Sequence, residues 1–476
     1  MMDRRFLILY GSQTGTAQDV AERIGRQARR YRFCVTVSAM DDYPVAELIK
    51  EKCVLFVCAT TGQGEEPDNM KRFWSFLLRK SLPLNSLKTM NQSVIGLGDS
   101  SYLKFNFTAK RLQRRLAQLG ANCLLDPLYA DEQHELGTDG MLDPWLGEFW
   151  KILLNLHPLP VGCLPISEEL LPAPKYGVIC ETACADGPGI IYEKLFEATV
   201  ISNQRVTSLD HFQDVRLLKL DIQDSQITFE PGDVVVVYPE NCEEDIKEFF
   251  RLFSFKADMY IKVTPTEEGT PLPNFLSAQV SIRECAQKYF DLTYIPKRGL
   301  CTRFLASLDP SKGTRVAITT KKGSLRMPPD GVPAIMVGPG TGCAPFSGMI
   351  QDRAQRGIAR NLLFFGARNA KGDFFFEKEW TKLVAMGLLD LVTAFSRDQE
   401  HKIYVQHRIK EHEGKIWKLL CDGGVVYIAG NAKDMVPSVR DALKTVVKSH
   451  SLTEENAEEL LKNLEKSKRL QIEAWS

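Results

Sequence analysis

A chain of 476 residues, 44% apolar and 25% charged, is too long for one ordinary domain and too apolar to be disordered. Sixty basic and sixty acidic residues cancel, which removes any general reason to expect nucleic acid or an anionic membrane as partner. Twelve cysteines, with no Cys-x-x-Cys pair and no Cys/His cluster at ligand spacing, indicate reduced, mostly buried thiols and no metal site.

Residues 1–155 alternate strand and helix patterns. Phe6–Tyr10, Val54–Ala59 and Val94–Gly98 are short apolar runs of the kind buried in parallel sheets. The first of them closes in a loop after five residues and reads as neither signal peptide nor membrane anchor; no run near 18 apolar residues follows. A helix over Ala17–Arg29 places Val20, Ala21, Ile24 and Ala28 on one face, and another carries Ala109, Leu112, Leu116 and Leu119 ahead of a capping Gly120. Repeated βα units predict a doubly wound sheet. Arg26, Arg29, Arg30 and Arg32 read as a solvated helix face.

Each of the three strands ends in a loop rich in glycine and hydroxyls. The first is Ser12-Gln13-Thr14-Gly15-Thr16-Ala17. Its hydroxyls, its amides and the following helix N-terminus suit a phosphate, while the lack of a Gly-Lys-Ser/Thr step argues against an NTPase. The second is Ala59-Thr60-Thr61-Gly62-Gln63-Gly64. The third runs Leu97-Gly98-Asp99-Ser100-Ser101-Tyr102 and on through Leu103, Lys104, Phe105 and Asn106. Asp131 and Glu132 fall on a further loop of the same edge. Seven carboxylates (Glu65, Glu66, Asp68, Asp99, Asp131, Glu132 and Glu135) fall on these loops and would favour a basic docking partner.

Residues 156–194 read as a linker, broken by Pro158, Pro160, Pro165, Pro172 and Pro174 and extended enough to let the flanking domains move. From 195 to 328 the pattern is β-rich. Asp214–Leu220, Val234–Tyr238 and Arg315–Thr320 read as strands of a barrel or sandwich, interrupted by helical stretches at Glu243–Phe253 and Ser281–Tyr289. From 329 to 476 the βα alternation returns with Ala334–Val337, Leu362–Gly366, Leu389–Ala394 and Val425–Ala429.

The strand-to-helix turn Gly338-Pro339-Gly340-Thr341-Gly342 suits a pyrophosphate. Phe365-Gly366-Ala367-Arg368 strengthens it. Ser396, Arg397 and Lys402 offer a hydroxyl and two cations for an adenosine 2′-phosphate, with Ile403, Tyr404, Val405 and Gln406 following; Tyr404 can stack on adenine. Cations rather than an acidic residue there predict NADPH over NADH.

The three N-terminal loops resemble those that hold FMN in flavodoxins, which implies that Tyr102 stacks on the flavin ring. The C-terminal motifs resemble the ferredoxin–NADP⁺ reductase module, and Trp475 resembles its terminal aromatic, which shields the FAD ring until nicotinamide displaces it. In this order the modules match the diflavin reductases, relatives of cytochrome P450 reductase. The resemblance implies an α/β architecture: a flavodoxin-like doubly wound sheet, a truncated antiparallel β-barrel FAD domain, and a ferredoxin reductase-like NADP-binding domain.

The match is nearest to the soluble NADPH-dependent diflavin oxidoreductases, a family linked to cytosolic iron–sulfur protein assembly, where it reduces anamorsin. That implies a cytoplasmic flavoprotein with FMN, FAD and NADPH. Of the family's FAD-holding elements, Gly299-Leu300-Cys301-Thr302 is present, whereas the Arg-x-Phe/Tyr-Ser strand is read as missing, as if by an internal deletion near Phe290–Gly299. The alternative reading is therefore a FAD-deficient form, a non-catalytic FMN- and NADPH-binding partner or competitor of the full-length protein.

Overall fold

The computed structural model describes residues 4–475 apart from 63, 103, 168–169, 171–173, 175, 182–194, 254, 267–271, 273–275, 277–278, 289–291, 293–298 and 452–453. It divides into two compact units, Met1–Pro172 and Ala173–Trp475.

The first unit is built on β1 (Arg5–Gly11), β2 (Cys34–Ala39), β3 (Cys53–Ala59), β4 (Asn91–Gly98), β5 (Asn122–Cys123) and β6 (Leu128–Asp131). They form a parallel sheet in the order β2-β1-β3-β4-β5, with β6 also on β4. Successive residues of a strand face opposite ways. Phe6, Ile8 and Tyr10 of β1 therefore pack with Val20, Ile24, Phe149 and Leu153 on one side, while Leu7 and Leu9 pack with Phe73, Leu112 and Leu116 on the other. An apolar run covered on both faces has to be a central strand. The order reverses at β1, so the carboxyl ends of β1, β3 and β4 open onto one crevice.

Two expectations change here. Arg26 and Arg29 are exposed, but Arg30 and Arg32 are not merely solvated. The Arg30 guanidinium donates to the carbonyls of Ser167 and Leu170, its own carbonyl accepts the Ile166 amide at 2.8 Å, and Arg32 reaches the Leu164 carbonyl at 3.4 Å. Arg4, almost buried, donates to the carbonyls of His157, Pro158 and Tyr31. The first part of the segment read as a free linker is thus strapped to this unit. Backbone carbonyls that a proline-broken chain cannot pair with itself find donors on the neighbouring helix end.

In the second unit β7 (Tyr176–Glu181) lies inside that same predicted linker and pairs with β11 (Tyr260–Pro265), which also carries β12 (Val280–Ser281). Flanking prolines masked this strand from a composition-based reading. An antiparallel sheet follows: β8 (Phe196–Arg205), β9 (Arg216–Asp221), β10 (Val234–Val237) and β13 (Arg315–Lys321), in the order β10-β13-β8-β9. Its core is small, centred on Ala198, Val200, Leu308, Val316 and Ile318, and the sheet is open at β9 and β10 among the described residues.

The C-terminal sheet is parallel, β14 (Ala334–Val337), β15 (Asn361–Ala367), β16 (Asp390–Phe395), β17 (Val425–Asn431) and β18 (Leu470–Trp475), in the order β16-β15-β14-β17-β18. Alternation repeats on β14: Ile335 and Val337 belong to one apolar cluster, Ala334 and Met336 to the other. Among the described residues no helix is long and apolar enough to cross a membrane.

Candidate functional site

At the end of β1 the buried Ser12 shapes the first loop. Its amide donates to Asn69 Oδ1 at 2.8 Å and its hydroxyl accepts the Gly15 amide at 3.0 Å. Gly15 sits at φ +103°, a conformation that a Cβ would strain, and no side chain caps the helix Thr16–Arg30. The uncapped amides of the first turn, beside the exposed Thr14 and Thr16 hydroxyls, fit a phosphate. Gln13 links this loop to the next through a paired exchange with Asp68, at 2.9 and 3.0 Å. Ala17 is fully buried and serves packing.

The second loop leaves β3 at Ala59. Thr60 donates its amide to the Leu97 carbonyl at 3.3 Å, Thr61 bridges to Glu65, and Gly62 takes φ +47°. In the third loop Asp99 accepts the Ser101 amide at 2.8 Å, and Asp131 accepts the amides of Ser100 and Gln133 at 2.9 and 3.0 Å. Burial pushes the Asp131 carboxyl up, but the Ser100 hydroxyl and these amides outweigh it and hold the group below the usual carboxylate range. Glu132 donates its amide to the Gly98 carbonyl at 2.9 Å. Tyr102 and Phe105 are half-buried, Lys104 lies across Gly64, and Leu103 falls outside the described residues.

Asn106 is fully buried at φ +52°, with Nδ2 donating to the Ala130 carbonyl at 2.9 Å. A Cβ on Gly96 or Gly98 would lie 2.8 Å from its Oδ1. These two glycines therefore make room for Asn106, a constraint that no local pattern revealed. Four of the seven edge carboxylates are engaged inside the unit: Glu66 with Arg111 and Asp68 with Lys71, each at 2.5 Å, and Asp99 and Asp131 with loop amides.

The second unit contains a cavity of about 720 Å³, of the size that takes a nucleotide cofactor. Thr341, Ser396, Tyr404, Val405, Gln406 and Trp475 all line it. The turn after β14 is tight: a Cβ on Gly342 would meet the Ala429 carbonyl oxygen at 2.1 Å. Trp475 arrives through the β17–β18 register, opposite Asn431, and is 39% exposed. Arg397 and Lys402 are exposed and Ile403 packs against the core; none of the three lines the cavity. Arg368, Phe212 and Gln213 do, and of these only Arg368 lay in a sequence motif.

Gly299, Cys301 and Thr302 are exposed at the start of the helix Leu300–Ser307, which buries no residue and is tied by Arg303 to Asp245 at 2.8 Å. They do not line the cavity. The pattern Arg-x-Phe-Ser does occur in letters at Arg251-Leu252-Phe253-Ser254, and Arg-x-Trp-Ser at Arg72-Phe73-Trp74-Ser75, which corrects the reading that it is missing. Both arginines lie on helices, and Arg251 is held by Glu248 at 2.6 Å, so neither supplies the expected strand. The junction near Phe290–Gly299 lies largely outside the described residues.

A flavodoxin-type phosphate edge, an antiparallel half-barrel and a parallel sheet with a nucleotide cavity define a flavin- and pyridine-nucleotide-dependent oxidoreductase. The flavodoxin family matches residues 8–145, the FAD binding domain family residues 190–320, and the oxidoreductase NAD-binding domain family residues 336–441. Curated proteins named NADPH-dependent diflavin oxidoreductase 1 match end to end. The one from Danio rerio is 41% identical, that from Bos taurus 38% and that from Arabidopsis thaliana 30%, covering 100%, 100% and 99% of this chain and as much of each relative. The chain belongs to the NADPH-dependent diflavin oxidoreductase family, whose cofactors are FMN, FAD and NADPH. The Danio rerio alignment runs over 598 positions against the 476 residues here, so that relative carries sequence this chain lacks.

Proposed function

We propose that this chain, acting in the cytoplasm, passes electrons from NADPH through FAD and FMN to anamorsin in the assembly of iron–sulfur proteins. The observation that carries the reading is the presence in one chain of the uncapped, hydroxyl-lined loop edge at Ser12–Thr16 and the nucleotide cavity at Thr341, Ser396 and Trp475. The acceptor rests on likeness to the family. When bound, the flavins and the nicotinamide supply the redox chemistry, so the side chains act by binding and placement.

In this reading Ser12, Thr14, Thr16 and the following amides hold the FMN phosphate, and Asp131 and Asn106 position the loop that carries Tyr102 against the ring. Ser396, Arg397 and Lys402 take the 2′-phosphate of NADPH, and Tyr404 its adenine. Gly299–Thr302 contribute to FAD, and Trp475 covers the flavin face that nicotinamide needs. The test is to count FMN and FAD released from the purified chain and then to follow anamorsin reduction on adding NADPH. One equivalent of each flavin with NADPH-dependent reduction supports the proposal. Both flavins without reduction of anamorsin would remove that acceptor.

One set of observations favours the second reading: the longer relatives, the edges open at β9 and β10 among the described residues, and a helix Leu300–Ser307 that buries no residue. FMN without FAD, and no reduction of any acceptor in FAD-supplemented buffer, would establish a non-catalytic binding form.

A further inference from the structure

The loop between β8 and β9 reaches out of the antiparallel sheet to the wall of the nucleotide cavity. Its own shape is fixed from within. Arg205 donates to Thr207 Oγ1 at 3.2 Å and to the carbonyls of Ser208, His211 and Gln213 at 2.9–3.2 Å, while the buried Thr207 hydroxyl donates to the Gln213 carbonyl at 2.9 Å.

Three contacts then fasten this loop to the turn after β15. The Ser208 amide donates to the Gly372 carbonyl at 3.0 Å. His211 Nε2 lies 3.5 Å from the Asp373 carboxylate, both side chains nearly buried. Phe212 presents its ring to the Arg368 guanidinium, 4.1 Å from the ring centroid. Asp373 meanwhile accepts the amides of Arg368 and Asn369 at 2.9 and 2.8 Å, which fixes the backbone from which Arg368 projects.

Arg368 is the one Lys or Arg among the described residues that line the cavity, and it has no carboxylate partner among them. An aromatic face orients a guanidinium without neutralising it or engaging its N–H groups. A cation held this way, beside the glycine turn at Gly340–Thr341, matches a doubly anionic bridge better than it matches a carboxamide or a base.

We propose that Arg368 binds the diphosphate bridge of NADPH and that Phe212, contributed by a different sheet, is the positioning residue that holds it there. The proposal rests on the reading of this cavity as the NADPH site. The flavin-side sheet then senses the dinucleotide directly, because the loop that carries Phe212 belongs to β8 and β9.

The test is calorimetric binding of two probes to the full chain: NADP⁺, which has the diphosphate, and adenosine 2′-monophosphate, which lacks it. Arg368→Ala should weaken NADP⁺ by about ten- to a hundredfold and leave the monophosphate unchanged. Phe212→Ala should weaken NADP⁺ severalfold with the monophosphate again unchanged, and Phe212→Tyr, which keeps the ring face, should restore it. Equal losses for both probes, or no loss in either Ala variant, would overturn the proposal. A wild-type chain that binds neither probe would instead refute the NADPH reading beneath it.

Discussion

The Asp131 carboxylate accepts the Ser100 amide at 2.9 Å, joining the end of β6 to the loop that leaves β4. Asp131 also accepts from Gln133, so one side chain organises two turns at the carboxyl edge of the sheet. Asp131→Ala should leave the sheet intact and free the Ser100–Tyr102 loop. A charge-assisted bond contributes about 1.5–3 kcal/mol, so FMN affinity should fall by about ten- to a hundredfold. Recovery of FMN fluorescence on dilution would measure it.

The same carboxylate sets an acid limit. Its pKa is lowered in the folded chain, so its contribution is complete above the ordinary carboxylate value of about 3.9 and is lost as pH falls through the lower folded value. FMN retention should therefore be flat from neutral pH down to about 5 and decline only below about 4. In Asp131→Asn the component of that acid decline due to this group should vanish, as a pH titration of bound flavin would show.

Gly342 leaves no room for any side chain, since the Ala429 carbonyl oxygen occupies the position a Cβ would approach. Gly342→Ala must push the β14 turn away from β17. Overpacking of this kind costs about 1–3 kcal/mol or more. The melting temperature of the second unit should drop and NADP⁺ binding with it, while bound FMN remains; a scanning-calorimetry trace with one shifted transition would be the signature.

Ser396 is buried in the cavity wall, with its hydroxyl on the Ala367 carbonyl at 3.3 Å, and Arg397 is exposed beside it. Substituting both with Ala should raise the KM for NADPH by about ten- to a hundredfold and leave that for NADH nearly unchanged, because only NADPH carries the 2′-phosphate. Steady-state rates with the two nucleotides decide it, and equal changes would mean that the 2′-phosphate sits elsewhere.

Arg30 and Arg32 strap Leu164, Ser167 and Leu170 to the first unit. Replacing both with Ala should leave the stability of this unit within about 1–2 kcal/mol, since the bonds run between side chains and exposed carbonyls. Limited proteolysis should nonetheless cut sooner within 161–170. Unchanged cleavage would show that the strap does not hold in solution.

Much of this protein is determined by sequence alone. The parallel strands β1, β3, β4, β14, β15 and β17 are legible because an apolar run of four to eight residues ending in glycines and hydroxyls has few other homes. The same local logic places Ser12–Thr16 at a helix N-terminus and Thr341 at a turn, since both depend on neighbours in the chain. Tertiary structure decided what depends on residues far apart. It made Gly96 and Gly98 a berth for Asn106, and turned Arg30, at a helix end, and Arg32, just beyond it, into straps for a proline-rich segment. It also brought Phe212 from one sheet against Arg368 of another. Periodicity records which face of an element is buried, but not which distant side chain will be pressed against it; that choice is made only when the sheets close on one another.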